Sequence, residues 1–256
     1  MLANYHAHTW RCNHAKGKEE EYVLAALEQN MKIFGFSDHA PYFYPGDYVS
    51  KDRMKPELLK DYCDTVHGLR EKYKGQIEIP LGLEVEYYPD LFPQMLPYWK
   101  EHGIEYILLG QHYVENEVGK SYCGLPTSDV SVLKQYCAQA IEGMHTGLFT
   151  YLAHPDLIWF EGDEKVYLEH MRLICREAKQ CGIPLEINML GIGKGRNYPD
   201  RRFWELAAKE GCEVVIGIDA HSPDQILRTD VEDKALQLAE NLGLKVLKTV
   251  PLRRIS

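Results

Sequence analysis

The sequence predicts an α/β fold built on a parallel β-sheet, and three observations support this. Short β-rich runs alternate with longer amphipathic runs along the whole chain. Glycine follows several of the amphipathic runs, as at Gly103, Gly182, Gly211 and Gly243, which is typical of helix ends. The chain has 256 residues, a common size for a single α/β barrel. Strand–helix alternation implies parallel strands with right-handed crossovers, and hence a barrel or a doubly wound sheet.

Seven short apolar or β-branched runs are the predicted strands. They cover residues 2–6, 32–38, 77–85, 104–112, 147–154, 183–188 and 213–221. Helices are predicted where apolar residues recur at spacings of three and four, as in 19–30, 57–73 and 167–182. No repeat, low-complexity segment or linker-like run divides the chain, so we expect one domain over residues 1–256.

Composition restricts the partners and the compartment. The net charge of −9 argues against binding to a nucleic-acid polymer, which needs clustered Lys and Arg. A small phosphorylated substrate remains compatible with this charge, because bound cations invert the local field. The seven cysteines form no CxxC pair, which predicts reduced thiols in a cytoplasmic protein. No apolar run approaches the roughly 20 residues that span a bilayer, and no signal peptide is expected.

Side chains of the types that bind metal ions follow six of the seven predicted strands. The carboxyl ends of parallel strands converge on one face of a barrel, where active sites lie. The sequence therefore predicts a metal site on that face. The residues at the strand ends are His6, His8, Asp38, His39, Glu84, His112, His154, Asp219 and His221.

Several of these residues also have a purely structural interpretation. His6 and His8 project to the same side of an extended strand, which suits one ion, although the pair by itself favours an exposed polar strand. Asp38 is a candidate helix N-cap. His112 and His154 are each candidates for hydrogen-bonded core histidines.

Two carboxylates compete for one role. Glu84 and Glu86 lie on the same side of a predicted strand, and a buried carboxylate is costly unless it is paired or coordinated. The pattern alone allows either of them to bind the metal. Cys12 forms a Cys-x-His pair with His14, but the other candidate ligands offer nitrogen and oxygen, so Cys12 is predicted not to bind metal.

The ordered segments HAH, CNH, SDHAP, GLE, GQH, AHPD and DAHSP resemble the PHP (polymerase and histidinol phosphatase) family, from Tyr5 to about Pro223. AKGKEEEYVLAAL, FGFSDHAPY and DAHSP are similar to its histidinol-phosphate phosphatase branch. The resemblance implies a distorted seven-stranded (β/α), TIM-like barrel. It also implies a trinuclear centre of transition-metal ions, for which nitrogen and oxygen ligands suit zinc, iron or manganese.

The resemblance further implies which residues bind each ion, with Glu84 rather than Glu86 as the bridging carboxylate. One ion would be held by His6, His8, Glu84 and Asp219, a second by Glu84, His112 and His154, and the third by His14, His39 and His221.

The activity implied is hydrolysis of L-histidinol phosphate to L-histidinol and phosphate, in histidine biosynthesis. The alternatives are another small phosphate ester, such as a nucleotide, or a non-catalytic metal-binding module. Arg196 is the candidate for a bidentate contact with phosphate, with Arg53 and Arg228 as alternatives. Asp156, or water at the metals, would protonate the leaving alkoxide, and Asp47 or Asp156 would meet the substrate amine.

Overall fold

The computed structural model describes residues 1–255 and has an α/β fold in which all the strand pairs of the two sheets are parallel. A two-stranded sheet pairs β1 with β2, and a seven-stranded sheet runs in the order β3-β4-β5-β6-β7-β8-β9. The predicted α/β fold with a parallel sheet is confirmed. The strands are β1 Ala3–Asn4, β2 Ile33–Phe34, β3 Phe36–His39, β4 Leu81–Val85, β5 Tyr106–Leu109, β6 Phe149–Leu152, β7 Leu185–Asn188, β8 Glu213–Gly217 and β9 Lys245–Val246.

Eight α-helices of the described residues connect or flank these strands. Capping residues account for where many of them begin and end: Asp163 accepts hydrogen bonds from Lys165 N and Val166 N at the start of one helix, and Gly182 adopts a left-handed φ of 60° at its end. The helices are α1 Glu19–Glu28, α2 Leu59–Lys72, α3 Phe92–Glu101, α4 Val130–His145, α5 Glu164–Cys181, α6 Met189–Lys194, α7 Arg201–Glu210 and α8 Thr229–Leu242.

The predicted strand over 32–38 is two strands in two different sheets. The break falls at Gly35, whose N–H donates to Asn4 O, 2.8 Å away. A Cβ atom at this position would collide with the hydroxyl of Tyr106, so the chain passes too close to β5 for a side chain. β9 was not predicted, because a strand of two residues leaves no periodic pattern in the sequence.

The segment that follows β1 lies between β3 and the end of β8. His8 N donates to Ala220 O over 2.8 Å, and Ser37 N donates to Ala7 O over the same distance. Ala7 and Ala220 form an isolated parallel bridge. In the described residues, β3 and β9 are nevertheless the two edge strands of the large sheet. The hydrogen-bonded strand pairs alone therefore do not close the sheet into the barrel that the resemblance implies.

The core lies on both faces of the central strands. Every residue of β3, β4, β5, β6 and β7 is buried, as expected for parallel strands covered by helices on both sides. Within residues 1–255, no helix combines the length and the apolar character needed to cross a bilayer. Polar residues lie at or near the carboxyl ends of these strands, namely His39, Glu84, His112, His154 and Asn188.

Candidate metal centre

Glu84, at the end of β4, lies at the middle of a group of histidines. Its Oε1 is 2.7 Å from His154 Nε2, and its Oε2 is 2.9 Å from His39 Nδ1. Three further imidazoles approach its carboxylate at 3.5 to 3.7 Å, namely those of His6, His8 and His112.

The strand register places Glu84 in this position. His39 of β3 is paired with Glu84 of β4, so the two side chains leave the sheet side by side at the carboxyl ends of parallel strands. Gly110, directly after β5, leaves the space that the carboxylate occupies, since a Cβ atom there would collide with Glu84 Oε1. Glu86 lies one residue beyond the end of β4, and its carboxylate lies behind His112 rather than in the middle of the group.

Asp219 and His221 bring the end of β8 to the same cluster. His8 Nε2 is 2.9 Å from Asp219 Oδ1, and His221 Nε2 is 3.0 Å from His14 Nε2. Five sets of three side chains have donor atoms close enough for one ion: His6–Glu84–His154, His6–His8–Asp219, His8–His39–Glu84, His14–His39–His221 and His8–Cys12–His221.

Two of these residues have an uncommon backbone conformation. His154 has a φ of 28° and Asp219 a φ of 55°, in the left-handed region that residues other than glycine seldom adopt. Such conformations concentrate at functional sites, where the surrounding structure holds them in place.

Several donor atoms of the cluster are buried without a hydrogen-bond partner in the described part of the chain. Buried polar atoms are nearly always satisfied in folded proteins, so this concentration needs an explanation. Nitrogen and carboxylate oxygen atoms that converge in this way fit a bound transition-metal ion. The atoms are His6 Nε2, both ring nitrogens of His8, Glu84 Oε2, His154 Nδ1 and Asp219 Oδ1.

The charges of the cluster depend on burial and on the contacts between its carboxylates and imidazoles. Burial opposes the charge of Glu84, but the histidines around it lower its pKa well below its usual range. Burial likewise disfavours a charged His8, but the neighbouring carboxylates of Asp219 and Asp38 outweigh this and raise its pKa to about 9. Burial, reinforced by His8, lowers the pKa of His221 to about 3, which keeps this imidazole neutral and able to bind a metal.

Carboxylates behind the cluster orient its histidines. Glu86 Oε1 lies 3.0 Å from His112 Nδ1, and Glu86 is also bound by the Arg53 guanidinium and the Tyr88 hydroxyl. Asp38 accepts a hydrogen bond from the Thr9 hydroxyl. No helix begins at Asp38 in the described chain, so the alternative of a helix N-cap is wrong.

Glu186 is a buried carboxylate that the sequence interpretation missed. Its Oε1 lies 2.8 Å from His6 Nδ1, on the far side of that ring from Glu84. It occurs inside the short apolar strand β7, and only its alternation with Asn188 on the same side of that strand could have marked it.

A cavity of about 680 Å³ opens over the cluster, a volume suited to a small ligand. Arg196 reaches it from the segment after α6, where Nη1 is 3.1 Å from the Tyr198 hydroxyl and 3.3 Å from that of Tyr122. Asp52, which the sequence interpretation also missed, is exposed and lines the same cavity. Other lining residues are His14, Lys16, His39, His112, Tyr113, Lys194, Asp219 and His221.

Three of the residues predicted to bind the substrate lie outside the cavity lining or are already paired with carboxylates. Arg53 lines the cavity, but it is buried and paired with both Glu86 and Glu117, so its charge is already neutralised. Arg228 is paired with Asp230 at 2.7 Å and does not line this cavity. Asp47 is exposed and also lies outside the lining.

Asp156 is almost completely buried. Its Oδ2 accepts hydrogen bonds from Asp200 N at 2.5 Å and from Trp204 Nε1 at 2.9 Å. Burial raises its pKa to about 7. Asp156 is not among the residues that line the cavity, so the structure does not support direct contact with a substrate amine or a leaving group.

Fold and site together define an α/β protein with a histidine- and carboxylate-rich cluster, of the kind that binds metal ions, at the carboxyl ends of a parallel sheet. The chain belongs to the PHP domain family, which matches residues 4–189. Asp219 and His221 lie beyond the matched range.

Comparison with individual proteins agrees with this family. A "Probable histidinol-phosphatase" of Deinococcus radiodurans is 27% identical over 245 residues, covering 88% of each chain. The "Histidinol-phosphatase" of Bacillus subtilis is 22% identical over 254 residues, covering 86% of this chain and 94% of the other. Histidinol phosphate phosphatase from Lactococcus lactis, solved with Zn, L-histidinol and phosphate, has a similar fold, with a TM-score of 0.73, 16% identity and 98% of each chain covered.

Proposed function

We propose that the protein is a metal-dependent phosphomonoesterase that hydrolyses L-histidinol phosphate to L-histidinol and phosphate. The observation that carries the proposal is the cluster of buried, unpartnered nitrogen and oxygen atoms beside a cavity that is lined by Asp219 of the cluster and by Arg196. Relatives in the same family that bear the name histidinol-phosphatase match most of the chain, which supports this substrate over other phosphate esters.

The proposed cofactor is a set of up to three transition-metal ions. His6, His8, Glu84 and Asp219 would hold one, Glu84 with His112 and His154 the second, and His14, His39 and His221 the third. The side-chain sets His6–His8–Asp219 and His14–His39–His221, whose donor atoms are close enough for one ion, support the first and third ligand groups. The set His6–Glu84–His154 supports part of the second. The nitrogen and oxygen donors suit zinc, iron or manganese.

Bound cations would supply activation of water near neutral pH and neutralisation of phosphate charge. The residues of the chain would do the rest. Arg196 would bind phosphate oxygens through its Nε and Nη2 groups, because its Nη1 is already oriented by Tyr122 and Tyr198. Asp52 would bind the substrate ammonium, because it is the only carboxylate besides Asp219 among the described residues that line the cavity.

We also propose that the whole chain forms one PHP-type domain and that its sheet closes into a distorted barrel. The hydrogen bonds from the segment after β1 to Ala220 and to Ser37 support closure between β8 and β3. A single domain is required if Asp219 and His221, beyond the range that the family matches, complete the metal centre.

Steady-state kinetics of the metal-replete protein on a panel of phosphate esters tests the proposal. We expect a kcat/KM for histidinol phosphate at least about tenfold above that for nucleotides or sugar phosphates, a preference of roughly 1.4 kcal/mol. If a nucleotide has the higher kcat/KM, the reaction class stands but the substrate is a nucleotide instead of histidinol phosphate. Stoichiometric metal without hydrolysis of any ester would favour the non-catalytic metal-binding module.

A further inference from the structure

We propose that Glu186 is a positioning residue that holds one half of the metal centre in place. This inference rests on the proposed metal centre. Glu186 is fully buried in β7 and touches or indirectly fixes three of the proposed ligands, namely His6, His154 and Asp219.

The Oε1 atom of Glu186 orients His6. It lies 2.8 Å from His6 Nδ1 and accepts a second hydrogen bond from the Tyr151 hydroxyl at 3.2 Å. A proton held on Nδ1 by this contact leaves the lone pair on Nε2, and Nε2 is the nitrogen that faces Glu84 and Asp219. The contact therefore sets which ring nitrogen of His6 is available to the ion.

The Oε2 atom fixes the other two ligands. It accepts a hydrogen bond from the backbone N–H of His154 at 3.1 Å, where the chain adopts its left-handed turn. It also accepts one from Asn188 Nδ2 at 2.9 Å, and the same amide lies 3.1 Å from Asp219 Oδ2. Asn188 thus connects Glu186 to Asp219.

His154 N and Asn188 Nδ2 can only donate hydrogen bonds to Glu186, whereas His6 Nδ1 and the Tyr151 hydroxyl can donate or accept. An ionised carboxylate has only acceptor sites, so beside it the Nδ1 atom of His6 carries the ring proton. The amide of Gln would keep its oxygen towards His154 N and Asn188 Nδ2 and turn its NH₂ towards His6 Nδ1, which would move the ring proton to Nε2. A carboxylate is therefore needed to keep Nε2 free for the ion, and Gly217 on the neighbouring strand provides its space, since a Cβ atom there would collide with Glu186 Oε1.

The contacts of Glu186 are confined to one half of the centre. None of its hydrogen bonds in the described chain reaches a side chain of His14, His39 or His221. Loss of the carboxylate should weaken the two ions assigned to the first and second ligand groups and spare the third. A general role in stability would affect all three alike.

Glu186→Gln tests this through metal binding, without any assay of phosphatase activity. Ions per chain are measured by elemental analysis across a series of chelator concentrations, and the visible spectrum of the Co²⁺-loaded protein reports on coordination. Because removal of such a supporting contact typically weakens metal affinity about 10–100-fold, we expect two of three ions to be lost at about 10–100-fold lower chelator concentration. The third should be retained as in the wild type.

Two matched variants serve as controls. Glu105→Gln alters another partly buried carboxylate, which accepts hydrogen bonds from Leu81 N and Arg70 at the opposite end of the sheet, and should change no metal affinity. Tyr151→Phe removes one donor but keeps the contact with His6 and should have a much smaller effect. Thermal unfolding of the metal-free proteins shows whether each variant folds and allows affinities to be compared per folded chain.

The outcomes separate this inference from the proposed function. Equal affinities in Glu186→Gln and the wild type, or an equal loss at all three ions, would overturn the positioning role. A lower unfolding temperature of the metal-free variant with unchanged metal affinity would assign Glu186 to stability alone. A wild-type protein that binds no metal would instead refute the proposed function on which the inference rests.

Discussion

Replacement of Arg196 by Ala should impair the enzyme without removing its metals. The guanidinium lies at the cavity wall, where two tyrosine hydroxyls, of Tyr122 and Tyr198, accept from its Nη1. Within residues 1–255, no hydrogen bond engages its Nε or Nη2. These two groups form the planar edge that binds two oxygens of a phosphate.

The size of the effect follows from this geometry. A hydrogen bond with a charged partner contributes about 1.5–3 kcal/mol in net terms. Two such hydrogen bonds would together contribute more than about 1.5–3 kcal/mol. Because the Arg196 side chain is exposed and solvent screens its charge, we assign the contribution of one charged hydrogen bond to the pair. The expected loss in kcat/KM for Arg196→Ala is therefore about ten- to 150-fold.

Steady-state kinetics and elemental analysis on the same preparations provide the test. Lys194→Ala is the matched control, because Lys194 lines the same cavity from α6 but offers a single ammonium. We expect a smaller loss for this variant and an intermediate loss for Arg196→Lys. Unchanged kinetics in Arg196→Ala, or a loss that is accompanied by loss of metal, would refute the assignment of Arg196 to phosphate.

Three further predictions concern individual side chains. Glu84→Gln should remove most activity and metal, whereas Glu86→Gln, which touches the metal centre through His112, should cost about 10–100-fold in kcat/KM. The reverse order would make Glu86 the bridging ligand. Cys12→Ser should leave the metal content by elemental analysis unchanged, because the thiol lies 3.1 Å from Thr9 O, to which it donates; loss of an ion would identify a thiolate ligand. Asp52→Asn should raise the KM for histidinol phosphate about tenfold and leave the KM for an amine-free phosphate ester unchanged, whereas Asp47→Asn should change neither KM. Equal effects on both esters would mean that Asp52 does not recognise the amine.

The sequence by itself was sufficient for an α/β fold with a parallel sheet, for the family and for most of the residues that gather at the cluster. These features depend on local patterns: apolar runs with a period of two or between three and four, glycine after a helix, and a polar side chain directly after a strand. Because parallel strands end on one side of the sheet, residues as distant as His6 and His221 could be expected to meet there.

The tertiary structure decided what local patterns leave open. Glu84 and Glu86 lie on the same side of an extended strand, and only the pairing of Glu84 with His39 places the first in the cluster and the second behind His112. Glu186 is inconspicuous within an apolar strand, because its role comes largely from contacts with two other parts of the chain, at His6 and at Tyr151 and His154.

The same reason applies to two of the predicted substrate residues. Arg53 and Asp156 have the charge expected of substrate-binding groups, but Glu117 in one case and Trp204 in the other already satisfy them. Which partner reaches a charged side chain depends on residues distant along the chain that folding brings into contact. A sequence pattern therefore identifies the groups that are available for chemistry, and the packing determines which of them remain free to perform it.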